Sequence, residues 1–194
     1  PEQGILYNFA GVSCQGINNF SKSIIFLKKA IEIESQNISY MNNLANSYTS
    51  IRKYENAEKI YKKALSIDKN NKIILRNFAN FKRRVSDYES AIELYKKLVK
   101  IEKNNPSITH DLAECYQAIG NFVESNKILN ENIKKYPNFV KSHYTKSITT
   151  KYSENENHLN QMLEVSKINK LHVEDRININ YAIGKAYEDK KDFE

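Results

Sequence analysis

Apolar and polar positions repeat along this chain with a period of 34 residues. Phe20, Ser23, Leu27 and Ala30 return as Tyr54, Ala57, Tyr61 and Ala64. They return again as Tyr88, Ala91, Tyr95 and Leu98, and as Phe122, Ser125, Leu129 and Asn132. Each unit predicts two amphipathic helices. Met41, Leu44, Ala45 and Tyr48 fall at i, i+3, i+4 and i+7, which is one helical face. A polar turn over 50–53 follows, and Tyr54, Ala57, Ile60, Tyr61, Ala64 and Leu65 mark a second apolar stripe. Small residues recur where helices must approach closely: Gly11, Ala45, Ala79 and Ala113 in the first helices, Ser23, Ala57, Ala91 and Ser125 in the second.

Composition narrows the picture further. Five Gly and three Pro are too few for the many turns of a β-sandwich or barrel. No Gly-rich phosphate loop occurs, and no apolar run approaches the roughly 18 residues of a membrane span. The net charge of +7 permits an acidic partner. Lys supplies 25 of the 30 basic residues beside 25 Asn, a bias that AT-rich coding DNA also produces. Cys14 and Cys115 match no metal or redox spacing, and a reducing compartment, the cytoplasm, is expected.

The 34-residue period carries a small residue at repeat position 8, an aromatic at 17, a small residue at 20 and a large one at 24. This pattern resembles the tetratricopeptide repeat. The resemblance implies an all-α fold: a right-handed superhelix, or solenoid, of antiparallel helix pairs, with about five repeats and a partial sixth. Four regular repeats occupy 1–138, with Pro1–Gln3 as the tail of a preceding one. Pro137 stands at position 32, as in the family. Lys82 departs from the pattern at position 11, and Leu98 and Asn132 depart at position 27, which puts local packing there in question. A degenerate fifth repeat is read over 139–174, with a helix over 139–152, a polar loop over 152–157, a helix over 158–168 and a connector over 171–174. The first helix of a truncated sixth repeat is read over 175–194, with Ile183, Gly184, Tyr187 and Phe193 in register. Repeat arrays need polar caps. Pro1 at position 32 and Glu194 at position 18 therefore predict a piece of a longer protein.

His158-Leu159, Met162-Leu163, Asp175-Arg176, the stretch Tyr181–Asp189 and Asp192-Phe193 are similar to the junction between repeats and catalytic domain in tetratricopeptide-repeat sulfotransferase fusions. The phosphosulfate loop of those enzymes is absent from this sequence, so no catalytic residue carries over. The chain itself is not expected to be an enzyme. His110, His143, His158 and His172 are spread along it without zinc spacing, and neither metal nor cofactor is expected.

By the same resemblance, positions 2, 5, 6, 9, 12 and 13 of the first helices line a concave peptide-binding groove. Here these include Asn42, Asn43 and Asn46, then Arg76, Asn77, Asn80, Arg83 and Arg84, then His110, Asp111 and Glu114, and finally Lys141 and Tyr144. Asn recurs in register at positions 6 and 9. Its amide donates and accepts, so a row of them can pair with an extended backbone whatever its sequence. Arg76, Arg83 and Arg84 suit a carboxylate or phosphate. The family's carboxylate clamp is matched only by Arg76, Asn80 and Lys141, and Asp111 replaces its Asn. The expected function is protein–protein interaction, with a peptide in the groove. The alternatives are the non-catalytic region of a sulfotransferase fusion and, less favoured, a basic solenoid on nucleic acid through Lys28-Lys29, Lys62-Lys63 and Lys96-Lys97.

Overall fold

A computed structural model describes residues 2–152 and 156–190. Pro1, residues 153–155 of the polar loop, and Asp192, Phe193 and Glu194 of the truncated repeat lie outside them. Eleven helices and no strand occur among the described residues. They are α1 (Glu2–Gly16), α2 (Phe20–Ile33), α3 (Ile38–Ser50), α4 (Tyr54–Ile67), α5 (Lys72–Arg84), α6 (Tyr88–Ile101), α7 (Pro106–Ala118), α8 (Phe122–Lys135), α9 (Val140–Thr149), α10 (Glu156–Ser166) and α11 (Val173–Lys190). None of these is long and apolar enough to cross a membrane. The chain forms two compact units that divide after Ile101, each a solenoid-type stack of helix pairs.

The turn inside each pair has one conformation. Asn18, Arg52, Ser86 and Gly120, each 34 residues apart, take positive φ between 58° and 77°. The following residue donates its N–H back to a carbonyl of the helix just ended, as in Asn19 to Cys14, Lys53 to Tyr48, Asp87 to Lys82 and Asn121 to Tyr116. This left-handed cap satisfies orphan carbonyls and reverses the chain. Asn abundance has a local use too. Asn37, Asn71 and Asn105 cap α3, α5 and α7, and Asn19 and Asn121 cap α2 and α8, each accepting from helix N–H groups.

The small positions lie where the pattern puts them. Ala45, Ala79, Ala113, Ser23, Ala57, Ala91 and Ser125 are all fully buried. A Cβ added at Gly11 would meet Leu27 at 2.6 Å, so α1 and α2 touch backbone to side chain at that point. In the first unit the core is aromatic. The Tyr61 ring lies 5.2 Å from Phe78 and 5.7 Å from Phe81.

Two of the three irregular residues, Lys82 and Asn132, are accommodated by polar contacts. Lys82 lays its stem in the core with Nζ over the Phe78 ring, 2.7 Å from Asp87 Oδ2 and 3.1 Å from Glu58 Oε1. Burial works against its charge, but the two carboxylates prevail and hold its pKa above the ordinary lysine value. Asn132 is buried, donates to the Pro106 carbonyl and Ser142 Oγ, and accepts from Thr109 Oγ1. Leu98 is buried outright.

In the last helices the boundaries shift from the sequence reading. The helix expected to begin at 175 begins at Val173, and the one expected from 158 begins at Glu156. Val140, Tyr152, Leu159, Met162, Val165, Ile179, Ala182 and Ala186 form their core.

Candidate functional site

The predicted groove residues lie on the first helices of both units. In the first unit they do not stand free. Asn43 Nδ2 donates to Asn8 Oδ1 at 2.9 Å, and Asn77 Nδ2 donates to Asn42 Oδ1 at 2.8 Å. Each pair is 35 residues apart, so position 6 of one repeat bonds position 5 of the repeat before it. Gln15 reinforces the ladder by donating to the Asn43 carbonyl.

Position 9 is held differently. Tyr61 Oη donates to Asn46 Oδ1 at 2.6 Å, and Tyr95 Oη donates to Asn80 Oδ1 at 2.5 Å. Burial pushes the Tyr61 hydroxyl up to about 12, so it stays a donor at any physiological pH. With Oδ1 held by tyrosine, the Nδ2 groups of Asn46 and Asn80 are left to donate outward. Asn77 has the reverse polarity, with a proton of Nδ2 committed to Asn42 and Oδ1 left as an acceptor. Asn46, Thr49, Tyr61, Asn77, Asn80 and Arg84 line one pocket of about 260 Å³ on this face. Arg84 is exposed at its rim, while Arg76 and Arg83 are half-buried.

In the second unit the site is thinner. His110 is corrected from a groove contact to a packing residue: it is buried, its Nε2 lies 2.9 Å from Thr145 Oγ1, and its ring meets Phe139 edge-on. This bond again spans 35 residues, so His110 and Thr145 form the same rung as the asparagine pairs. Gln117 donates to the Thr145 carbonyl, as Gln15 does to that of Asn43. Asp111 and Glu114 are half-buried beside His110, their nearest oxygens 3.8 and 4.0 Å from its ring nitrogens. Lys141 is exposed, and Tyr144 rests on the Tyr181 ring at 5.8 Å.

The lysine pairs Lys28-Lys29, Lys62-Lys63 and Lys96-Lys97 are exposed on the second helices. Lys62 is paired with Glu58, Lys96 with Glu93, and Lys29 lies over the Tyr7 ring, which leaves a mixed, solvated surface. Both cysteines are buried thiols.

Sequence reasoning missed one cluster, that of His143, His158 and Tyr152. His143 Nε2 lies 2.8 Å from the Pro137 carbonyl, which can only accept, so this nitrogen carries the proton. His143 Nδ1 therefore accepts from His158 Nε2 at 3.2 Å. His158 Nδ1 in turn accepts from Tyr152 Oη at 2.7 Å. The two imidazoles are tilted by only 7° with centroids 5.3 Å apart, so they meet edge to edge along the bond. Burial depresses both histidines, His158 down to about 3, with the Lys146 ammonium adding to the effect. The 15-residue separation of the histidines, one on each of two successive helices, was the available signal.

A family profile described as tetratricopeptide repeat matches residues 84–144, and a second with the same description matches 38–71. Neither reaches the residues that resemble the sulfotransferase junction. No curated protein sequence matches the chain. Among solved structures, a crystal structure of MamA protein is 14% identical, covers 98% of this chain and 93% of its own, and has a TM-score of 0.68. MamA 41-end from Desulfovibrio magneticus RS-1 is 11% identical, covers 100% and 98%, and has a TM-score of 0.70. The first TPR of Spaghetti (RPAP3), bound to an HSP90 peptide, is 18% identical, covers 61% of this chain and 97% of its own, and has a TM-score of 0.57. At these identities the likeness is one of fold. Together, the helix pairs, the recurring small residues and the profile matches identify residues 38–71 and 84–144 as tetratricopeptide repeats.

Proposed function

We propose that this chain is a protein-interaction module, working in the cytoplasm or another reducing compartment, whose α3–α5 face binds an extended peptide segment carrying an acidic side chain or terminal carboxylate. The observation that carries this reading is the fixed polarity of the asparagines. Asn46 and Asn80 present donors and Asn77 presents an acceptor, matching the alternating C=O and N–H groups of an extended backbone. Because tyrosines and neighbouring amides hold these groups, little rotamer freedom is lost on binding. Arg84 at the rim supplies the charge for a carboxylate. The RPAP3 repeat domain, whose bound HSP90 peptide SRMEEVD ends in an aspartate, supports the mode in kind.

The reading includes no catalysis by this chain. His110 is spent on Thr145 and Cys115 is buried, so the groups nearest to an acid–base site serve packing. The junction-like residues are accounted for by the same kind of packing: Leu159, Met162, Ala182 and Ala186 are core, and Lys185 bonds Asp189.

The test is an array of nine-residue peptides, with and without acidic C-termini, probed with the full chain. Binding should concentrate on acidic peptides. Arg84→Glu should weaken it at least tenfold with thermal stability nearly unchanged, and Asn80→Ala several-fold at a cost of about 1 kcal/mol, because the Tyr95 hydroxyl loses its acceptor. Equal binding by the wild type and both variants would contradict the proposal.

A further inference from the structure

The second unit holds a pocket of about 390 Å³ among α8, α9 and α10. Ile133 and Pro137 make part of its wall apolar. Lys134, Lys146 and Gln161 give it hydrogen-bond donors, and the buried His158 ring closes it. Both His158 nitrogens are already committed, one to Tyr152 and one to His143. The histidine is therefore a wall of the pocket and offers a ligand no free polar atom.

Lys146 is the unusual member. It is half-buried, and among the described residues no carboxylate pairs with it. Two other interior lysines show the ordinary solution: Lys82 bonds Asp87 and Glu58, and Lys185 bonds Asp189 at 2.6 Å. A cation drawn partly out of water loses hydration that a counter-charge normally replaces. Burial accordingly pushes the Lys146 ammonium below its ordinary pKa, and its charge reaches both histidines. Lys134 adds a second positive charge at the mouth, also without a carboxylate partner among the described residues. An oxyanion in this pocket would meet Lys146 from the open side and relieve that imbalance.

We propose that this pocket binds a compact organic oxyanion, a phosphate or carboxylate group held by Lys146, Lys134 and Gln161 with its apolar body on Ile133 and Pro137. The site is independent of the α3–α5 peptide face, so the two proposals can fail separately.

Phenyl phosphate and benzoate serve as probes, titrated into the full chain and followed by amide and imidazole resonances. At least one probe should shift the Gln161 and His158 signals saturably, and the tighter one tells a phosphate site from a carboxylate site. Lys146→Met should weaken binding tenfold or more. Gln161→Leu, on an exposed residue that the fold does not need, should weaken it several-fold and keeps the test open if Lys146→Met fails to fold. The absence of a saturable shift with either probe would overturn the proposal, as would undiminished binding by Gln161→Leu together with a folded Lys146→Met.

Discussion

In α3–α6 the polar atoms sit at the rim of an aromatic core, whereas in α9–α11 they run through its middle. Tyr61 and Tyr95 bury their rings and donate their hydroxyls to Asn46 and Asn80 on the α3–α5 face. Tyr152 buries its hydroxyl too, and the bond it donates passes through His158 and His143 to the Pro137 carbonyl. Both arrangements satisfy their donors. The first leaves amide groups accessible at the surface, and the second spends its hydrogen bonds inside. The same helix-pair packing thus yields a face of oriented amides in one region and a closed polar chain in the other.

Acid should separate the two regions most strongly. The folded His158 pKa, about 3, lies below the ordinary unfolded value near 6.5, and His143 is depressed in the same direction. Between those values the unfolded chain binds more protons than the folded one, so stability falls as pH drops from about 6.5 toward 3. For His158 the loss approaches tenfold in the folding constant per pH unit, and His143 adds to it in the same direction. In α3–α6, Lys82 holds Asp87 below the ordinary carboxylate range and Lys62, then Lys82, does the same for Glu58, so loss begins only below about pH 4. Hydrogen exchange at pH 7 and pH 5 should show protection falling over 140–186 before it falls over 41–98. A simultaneous decline would break the distinction.

Paired tyrosine substitutions sharpen it. Tyr152→Phe leaves buried His158 Nδ1 without its donor and should cost about 2 kcal/mol in urea denaturation. Tyr61→Phe removes a bond at the rim, where water can replace it, and should cost about 1 kcal/mol or less. A smaller gain is expected at Ser125, whose buried hydroxyl has no hydrogen-bond partner, while Ala stands at the equivalent positions 57 and 91. Ser125→Ala should stabilise by about 1 kcal/mol, read as a raised urea midpoint with an unchanged slope. The smallest effect belongs to Ser86, which takes positive φ where the equivalent turn has Gly120. Ser86→Gly should gain about 0.5 kcal/mol, strain relief being offset by the freedom glycine adds to the unfolded chain.

The sequence made the repeat legible because packing repeats with it. Small residues at positions 8 and 20 of the four regular repeats are buried in register. The position-9 asparagines were visible for the same reason. What periodicity could not show were bonds between side chains 35 residues apart, since these join unlike positions, and the His110–Thr145 rung shares no residue type with Asn42–Asn77. Lys82 read as a defect because its two carboxylate partners, Glu58 and Asp87, lie outside its own apolar stripe. The histidine chain was hidden because the period breaks after Pro137, where no register remained to bring His143 and His158 together.

The central claim is that tyrosine-held amides read a peptide backbone. Its most direct test is the side-chain NH₂ resonances of Asn46 and Asn80, followed while an acidic peptide selected from the array is titrated into the full chain. The account predicts saturable downfield shifts of both, lost for Asn80 when Tyr95→Phe frees its amide to rotate. Binding of that peptide with both NH₂ signals unmoved would contradict it.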